Sequence, residues 1–222
     1  MIISWRRFFA HHYDGFMAPV ERRALAAIRS SLISQVRGRV LEIGAGTGAN
    51  LPFYPDGVNT VLTEPDREMR RELWTKVNGR NDPSMSLELM AAAAERLPFR
   101  DGGFDFVVAT LMLCSVQDPL SACLEIRRVL EPGGRLLFME HIRGNGRHGS
   151  WQDRLQPVWS TIGCGCHPNR DTLSILEEAG FEFDELRSFD PFEGLPRATH
   201  FLTRIVLPFV WGVAHPGGGA SE

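Results

Sequence analysis

Residues Arg39–Asn50 read RVLEIGAGTGAN, and the parsing of this stretch decides the fold. Val40, Leu41 and Ile43 form a short apolar run of the kind a buried strand makes. Gly44, Gly46 and Gly48 then form a sharp turn, and Thr47–Asn50 opens a helix. Glycines at this spacing let a ligand lie against bare backbone, with the free N–H groups of a helix start directed at it. Twenty residues beyond Gly44 stands Glu64, closing a second apolar run, Val58–Thr63. An acid there is set to accept both hydroxyls of a ribose. GAGTGA also satisfies the loose dinucleotide pattern, so the turn points to a nucleotide cofactor without selecting one.

Outward from this unit, strands and helices alternate. Upstream, Leu25, Ile28, Leu32 and Val36 recur at helical spacing, which predicts an amphipathic helix over Glu21–Val36 ending near Gly38. Downstream, Pro65 suits a first helical turn and Asp66–Val77 continues as a charged helix. Strands are expected at Met85–Met90 and Phe104–Leu111, the second continuous enough to be covered on both faces. A helix over Pro119–Leu130 stops at the EPGG of Glu131–Gly134, and Arg135–Glu140 is a fifth strand. The insertion His141–Arg170 has helical potential in Trp151–Ile162; a helix at Thr172–Ala179 and strands at Phe181–Leu186 and Val206–Ala214 follow. This alternation implies an α/β, Rossmann-like, doubly wound sheet with its ligand beyond the strands' carboxyl ends. Gly44–Gly48, Glu64, Ala92–Glu95 and Thr110–Ser115 all fall at such ends.

The chain has 222 residues, 43% of them hydrophobic and 23% charged, which fits a globular protein with one sizeable core. A net charge of −3 offers no whole-molecule attraction for nucleic acid. Cys114, Cys123, Cys164 and Cys166 do not make a secreted disulfide framework, so they are expected as reduced thiols in a cytoplasmic protein. No apolar run reaches the roughly 18 residues a membrane span needs, and Met1–Phe9 lacks the pattern of a signal peptide. The segment up to Arg39 sets seven arginines against Asp14 and Glu21 and interleaves Trp5, Phe8, Phe9, Phe16 and Met17. That composition suits peripheral contact with an anionic membrane, and it equally suits a lid packed on the domain, the arrangement expected here. The organisation anticipated is a helical lid over residues 1–38, a cofactor-binding domain over 39–215, and a disordered tail over 216–222.

LEIGAGTG, Glu64, AERLPF at Ala94–Phe99, FDFVVATLMLCSV at Phe104–Val116 and RRVLEPGG at Arg127–Gly134 occur together. As a set they resemble the class I S-adenosylmethionine-dependent methyltransferases, over about Tyr13 to Ala214. GTGANLPFYP, LCSVQDP, LFMEHIR, WQDRLQPVW and GCHPNRDTL are similar to the methyltransferase-like branch that includes alkyl-thiol methyltransferases. The ubiquinone/menaquinone C-methyltransferases are its neighbours. The resemblance implies a seven-stranded sheet, mostly parallel with the last strand antiparallel, and S-adenosylmethionine as cofactor.

Carried over residue by residue, the resemblance directs Glu42 to the methionine end of the cofactor. It lays Gly44, Ala45, Gly46 and Gly48 against the cofactor's backbone and ribose, and gives Glu64 the ribose hydroxyls. Pro65 and Met69 pack near the adenine, Ala94 offers it a backbone N–H, and Leu111 runs beside the methionine portion. Where relatives often carry an acid for the adenine amino group, this chain has Ala93, so Glu95 or a backbone carbonyl must substitute. Tyr13 matches tyrosines that reach over the cofactor from N-terminal lids of similar enzymes, though packing on the core explains it equally.

A thiol acceptor gains from a nearby base, and His141, at the carboxyl end of the fifth strand, titrates in the useful range; a structural role bonding a loop is the alternative. Cys164, Cys166 and His167 offer three cramped donors and no second pair, so no metal is expected. Trp151, Trp159, Phe189, Phe192 and Phe201 fall in the insertions and predict an apolar acceptor. The expected activity is methyl transfer to a small or apolar acceptor, a thiol by family likeness. A quinone or phospholipid methyltransferase, a non-catalytic cofactor-binding module and an NAD-linked oxidoreductase are the alternatives.

Overall fold

The computed structural model describes residues 5–80, 86–193 and 203–218. Five parallel strands form one part of the sheet: β1 (Arg39–Ile43), β2 (Asn59–Thr63), β3 (Ser86–Met90), β4 (Phe104–Thr110) and β5 (Leu130–His141). β6 (Phe181–Phe189) and β7 (Phe209–Pro216) complete it in the order β3-β2-β1-β4-β5-β7-β6. β7 lies antiparallel between β5 and β6. The expected seven-stranded, mostly parallel sheet with an antiparallel last strand is therefore observed.

Side chains alternate across each strand, so one sheet builds two cores. Leu41, Ile43, Val107, Ala109, Leu136 and Phe138 face one side, with α4 (Pro119–Val129) and α6 (Thr172–Glu178) over them. Val40, Phe106, Val108, Leu137 and Met139 face the other, under Leu25, Leu32, Ile33 and Val36. The strand order reverses between β1 and β4, and the crevice this opens is where doubly wound sheets take their ligands.

Local boundaries moved in several places. β5 opens at Leu130 and takes in the EPGG expected as a stop, and Thr47–Asn50 is a turn ahead of a short 3-10 helix, Leu51–Phe53, rather than a helix start. The N-terminal helix starts far earlier than the hydrophobic spacing indicates: α1 (Trp5–Val20) leads through a wide π-helical turn, Glu21–Leu25, into α2 (Ala26–Ile33). Pro19 has no N–H for the ladder, and in the turn that follows, Ala26 N–H bonds Glu21 O. Pro65 lies outside α3 (Arg67–Gly79), whose N-cap is Asp66; its carboxylate accepts from the Glu68 and Met69 amides. The helix expected from Trp151 begins at Gly146 and runs to Ile162 as α5. Of its opening glycines, Gly149 is a packing demand, since a Cβ there would collide with the Gly144 carbonyl, while Gly146 stands at φ +53° with open space beside it. β7 starts at Phe209, because Arg204–Val206 forms a short 3-10 turn ahead of it. The expected tail lies mostly beyond the described residues.

Candidate active site

Gly44 follows β1 and Leu111 follows β4, so the two flank the reversal in strand order. Gly46 and Gly48 serve different ends. At Gly48 (φ +86°) a Cβ would lie 2.7 Å from Leu51 Cδ1 and 2.8 Å from Leu73 Cδ1, so its absence lets α3 close on the turn. At Gly46 (φ +57°) a Cβ would meet nothing nearer than Gly44 O at 4.0 Å. The bare backbone there borders open space, as a cradle for a ligand requires.

Glu64, buried to 6% exposure, stands across this cradle. Its carboxylate accepts from the Gly46 amide and from the Asp66 amide, both at 2.8 Å, and burial pushes its pKa up. A carboxylate has about four lone-pair sites, so two remain for vicinal hydroxyls. The open backbone, this acid and a second buried acid suit the nucleoside and charged amino-acid parts of S-adenosylmethionine.

That second acid is Glu42, on β1 and 2% exposed. Tyr54 donates its hydroxyl to one oxygen (2.7 Å) and Asn50 its amide to the other (2.9 Å). Asn50 also donates to Thr110 Oγ1 at 2.9 Å. Arg29, buried on α2, donates to Asn50 Oδ1 (2.7 Å) and Thr110 Oγ1 (2.9 Å), and pairs with Glu21 at 2.9 Å. Desolvation dominates at Glu42 and lifts its pKa from 4.5 to about 7, against the Tyr54 and Asn50 hydrogen bonds and the Arg29 charge.

α1 crosses over this edge. Asp14 accepts from Thr47 Oγ1 at 2.6 Å and pairs with Lys76 at 2.5 Å, while Arg6 pairs with Asp66 at 2.8 Å. Tyr13, on the same helix, lies within electrostatic reach of Arg29, Cys114 and Cys166, and burial raises its pKa. Of the residues expected at the adenine, Ala94 is buried and Ala93 is exposed, with the Ala93 carbonyl accepting from Arg96 N at 3.2 Å. Glu95 Oε1 accepts from the Gln117 amide at 2.8 Å and the Asp118 amide at 3.3 Å. That oxygen is thereby turned to the start of α4. Pro65 is exposed just ahead of α3, and Met69 is half-buried in its first turn.

The chain leaves β4 through Leu111, a non-glycine residue at φ 56° whose amide donates to Met139 O at 2.7 Å. Positive φ in a leucine costs on the order of 1 kcal/mol, held here by the sheet. The next two amides, of Met112 and Leu113, donate to the buried Glu140 carboxylate at 2.6 and 2.7 Å. This pinned turn delivers Cys114 beside His141, the last residue of β5. His141 is buried; its Nε2 is 3.1 Å from Cys166 Sγ, its Nδ1 has no hydrogen-bond partner, and Phe209 meets the ring edge-on. Trp159 Nε1 donates to the same sulfur at 3.3 Å. The hydrogen bond with Cys114 draws the Cys166 thiol below its usual range and pushes Cys114 well above. Phe189 and Phe192 pack on Phe209, behind His141; Phe201 lies outside the described residues.

All four cysteines are free thiols. The grouping Cys164, Cys166, His167 suggested by spacing is not the one the fold makes: His167 Nδ1 contacts Gly165 O at 2.7 Å, and Cys166 faces Cys114 and His141. Thr110 stands in the Thr110–Ser115 stretch expected at the ligand-binding strand ends, whereas Arg29, Asn50, Tyr54 and Glu140 were not legible as site residues. Arg29 alone had a signal, since it falls four residues after Leu25 on the buried stripe of its helix.

The methyltransferase-domain family matches residues 41–138. Thiol S-methyltransferase TMT1B of Homo sapiens is 33% identical over 218 residues, covering 91% of this chain and 88% of that protein. Thiol S-methyltransferase TMT1A of Homo sapiens is 32% identical over 171 residues, covering 76% and 70%. A demethylmenaquinone methyltransferase of Renibacterium salmoninarum is 36% identical over 103 residues, covering 46% of this chain and 40% of its own. Among solved structures, a possible histamine N-methyltransferase from Thermotoga maritima aligns with a TM-score of 0.66 at 21% identity, covering 96% of this chain and 98% of that one.

Proposed function

This chain belongs to the class I S-adenosylmethionine-dependent methyltransferases, and from that membership we propose that it methylates the sulfur of a small, apolar thiol. The observation that carries the acceptor class is the likeness to thiol S-methyltransferases along nearly the whole chain. Bound S-adenosylmethionine supplies a methyl carbon on a cationic sulfur, open to in-line attack by an acceptor lone pair. Gly44, Ala45, Gly46 and Gly48 would hold it through their backbone, and Glu64 through the ribose hydroxyls. Glu42 would face its positively charged methionine end and Leu111 would flank it. Pro65, Met69, Ala93, Ala94 and Glu95 would border the adenine.

The acceptor would approach from the β4–β5 side, where Cys114, His141 and Cys166 gather within reach of Tyr13 on α1. Asp14, Thr47, Lys76, Arg6 and Asp66 tie α1 down, so α1 acts as the lid that excludes water from the reacting centre. The test is product analysis: the protein with S-adenosylmethionine and ethanethiol or thiophenol should form the methyl thioether and S-adenosylhomocysteine in equal amounts. Inert thiols alongside methylation of a quinol or of phosphatidylethanolamine would overturn the thiol assignment.

A second feature concerns delivery of the acceptor. Trp5, Phe8 and Phe16 on α1 and Val158 and Ile162 on α5 are exposed, and Trp5 Nε1 bonds Ile162 O at 3.1 Å. With Arg6 and Arg7 beside them, these side chains suit peripheral contact with an anionic lipid surface. Among the described residues no helix is long and apolar enough to cross a membrane. Flotation with anionic vesicles, lost in a Trp5→Ser, Phe8→Ser variant, is the expected result; binding unchanged by that variant would refute the contact.

A further inference from the structure

Cys114, His141 and Cys166 come from three separate segments and converge at the acceptor side. Their ligand-type atoms all lie within 4.8 Å of one another, with the His141 Nε2 to Cys166 Sγ distance at 3.1 Å. A tetrahedral zinc with Zn–S near ~2.3 Å and Zn–N near ~2.0–2.1 Å holds its donors roughly 3.5–3.8 Å apart. The observed spacing, from 3.1 Å up to 4.8 Å, spans that value, so side-chain adjustment of up to about 1 Å closes the donors on an ion.

The surroundings hold this cluster in place. Glu140 fixes the turn before Cys114 through two backbone amides. The His167 amide donates to Cys114 O at 2.8 Å, and Arg170 donates to the Leu113 carbonyl at 2.5 Å and to the Val116 carbonyl, which ties the two cysteine segments together. The turn that presents Cys166 puts Cys164 at φ 52° and Gly165 at φ 107°. A non-glycine residue in the left-handed region is a backbone cost that surrounding bonds must hold; here Gly165 N bonds Ser160 O at 2.7 Å. The Trp159 N–H to Cys166 Sγ is the kind of outer contact that orients a ligating thiolate. The ligands are two sulfurs and one imidazole, with Cys114 and His141 buried and Cys166 half-buried. Soft sulfur with imidazole selects zinc over magnesium or calcium, and three protein ligands leave a fourth position open.

We propose that Cys114, His141 and Cys166 bind one zinc ion whose open fourth position takes the sulfur of the acceptor thiol. His141 is then a ligand through Nε2, not the free base anticipated from its position. The fourth-ligand half of this proposal rests on the thiol reading above; the three-ligand site does not. The balance is simple. The acceptor thiol displaces a zinc-bound hydroxide, its proton leaves with that hydroxide as water, and the sulfur remains as a zinc-bound thiolate. In the transfer, that sulfur gains the methyl carbon, the cofactor sulfur keeps the electron pair of the broken bond, and the neutral thioether product leaves zinc. No oxidant or reductant is needed.

Cobalt(II) titration of the full chain tests the site without turnover. The expected result is a thiolate-to-cobalt absorption saturating at one cobalt per chain, retained in Cys164→Ser and lost in Cys166→Ser, while Cys166→Ser still binds S-adenosylmethionine. Ethanethiol added without the cofactor should shift that absorption. Absence of the absorption, or its survival in Cys166→Ser, overturns the site; an absorption that ethanethiol leaves unmoved overturns the open position. The two readings separate cleanly. Metal-free protein that methylates ethanethiol at the full rate leaves the thiol assignment standing and removes zinc from the reaction. The expected cobalt spectra with every thiol inert as substrate support the site and remove the thiol assignment.

Discussion

Glu42→Gln should make the protein more stable at pH 8 and slightly less stable at pH 5. Glu42 is 2% exposed, and burial raises its pKa from 4.5 to about 7. Between those two values the folded protein keeps a proton that the unfolded chain has released. The folded state binds more protons there, so stability falls as pH rises through the window. At 1.36 kcal/mol per pKa unit, a displacement from 4.5 to about 7 amounts to about 3 kcal/mol of stability lost by pH 8. Glutamine removes that loss but turns an amide toward the Asn50 donor, which costs about 1 kcal/mol at every pH. The net expectation is a gain of about 2 kcal/mol at pH 8 that shrinks to a loss of only a few tenths of a kcal/mol at pH 5, where the unfolded carboxyl is already largely ionised. Urea unfolding of both proteins at pH 5, 6, 7 and 8 measures the difference directly. A stability difference that is flat across this range would refute the argument, because it would mean that Glu42 carries its charge in the folded state at no unusual cost. The same substitution should weaken S-adenosylmethionine binding and abolish its improvement with rising pH, since only an ionised Glu42 attracts a cationic ligand.

Arg29→Met should lower stability on the order of 3 kcal/mol in urea unfolding, because it strands acceptors on Asn50 and Thr110 inside the protein; a loss under about 1 kcal/mol would mean water replaces the guanidinium. Gly46→Ala and Gly48→Ala should dissociate two properties. The first should cost only about 1 kcal/mol of stability, from its positive φ, yet reduce S-adenosylmethionine affinity at least tenfold by calorimetry. The second should destabilise by about 2–3 kcal/mol through collision with Leu51 and Leu73; equal effects of the two on both readouts would remove the distinction between cradle and packing glycine. Thr47→Val, which deletes the bond to Asp14, should speed cofactor release several-fold in stopped-flow measurements. An unchanged rate would show that α1 does not gate the site.

Much of the architecture was legible because its determinants are local. A glycine's freedom at positive φ, the two-residue period of strands and the spacing from Gly44 to Glu64 are properties of short segments, and they locate the sheet, its carboxyl edge and the cradle of Gly46. The missed boundaries had local causes of a different kind. Pro19 and Gly149 are residues that helices disfavour, yet both stand inside helices, where packing with the rest of the chain outweighs local preference. Hydrophobic spacing identified the core face of α2 through Leu25, Ile28 and Leu32, and counted Arg29 only among the arginines of the N-terminal segment.

By itself, then, the sequence determined the α/β sheet, the glycine turn and the acid that faces it, because each depends on residues within a strand or a turn of one another. The tertiary structure decided which polar groups meet. Arg29, Asn50 and Thr110 form one buried network across 81 residues of chain, and no periodicity carries that pairing. The adjacency of β4 and β5 brings Cys114 to His141, and the loop after α5 returns Cys166 to both. Spacing had grouped Cys166 with its neighbours Cys164 and His167. The fold grouped it with partners 52 and 25 residues away instead, because side chains meet where strand ends converge and not where residues adjoin in sequence.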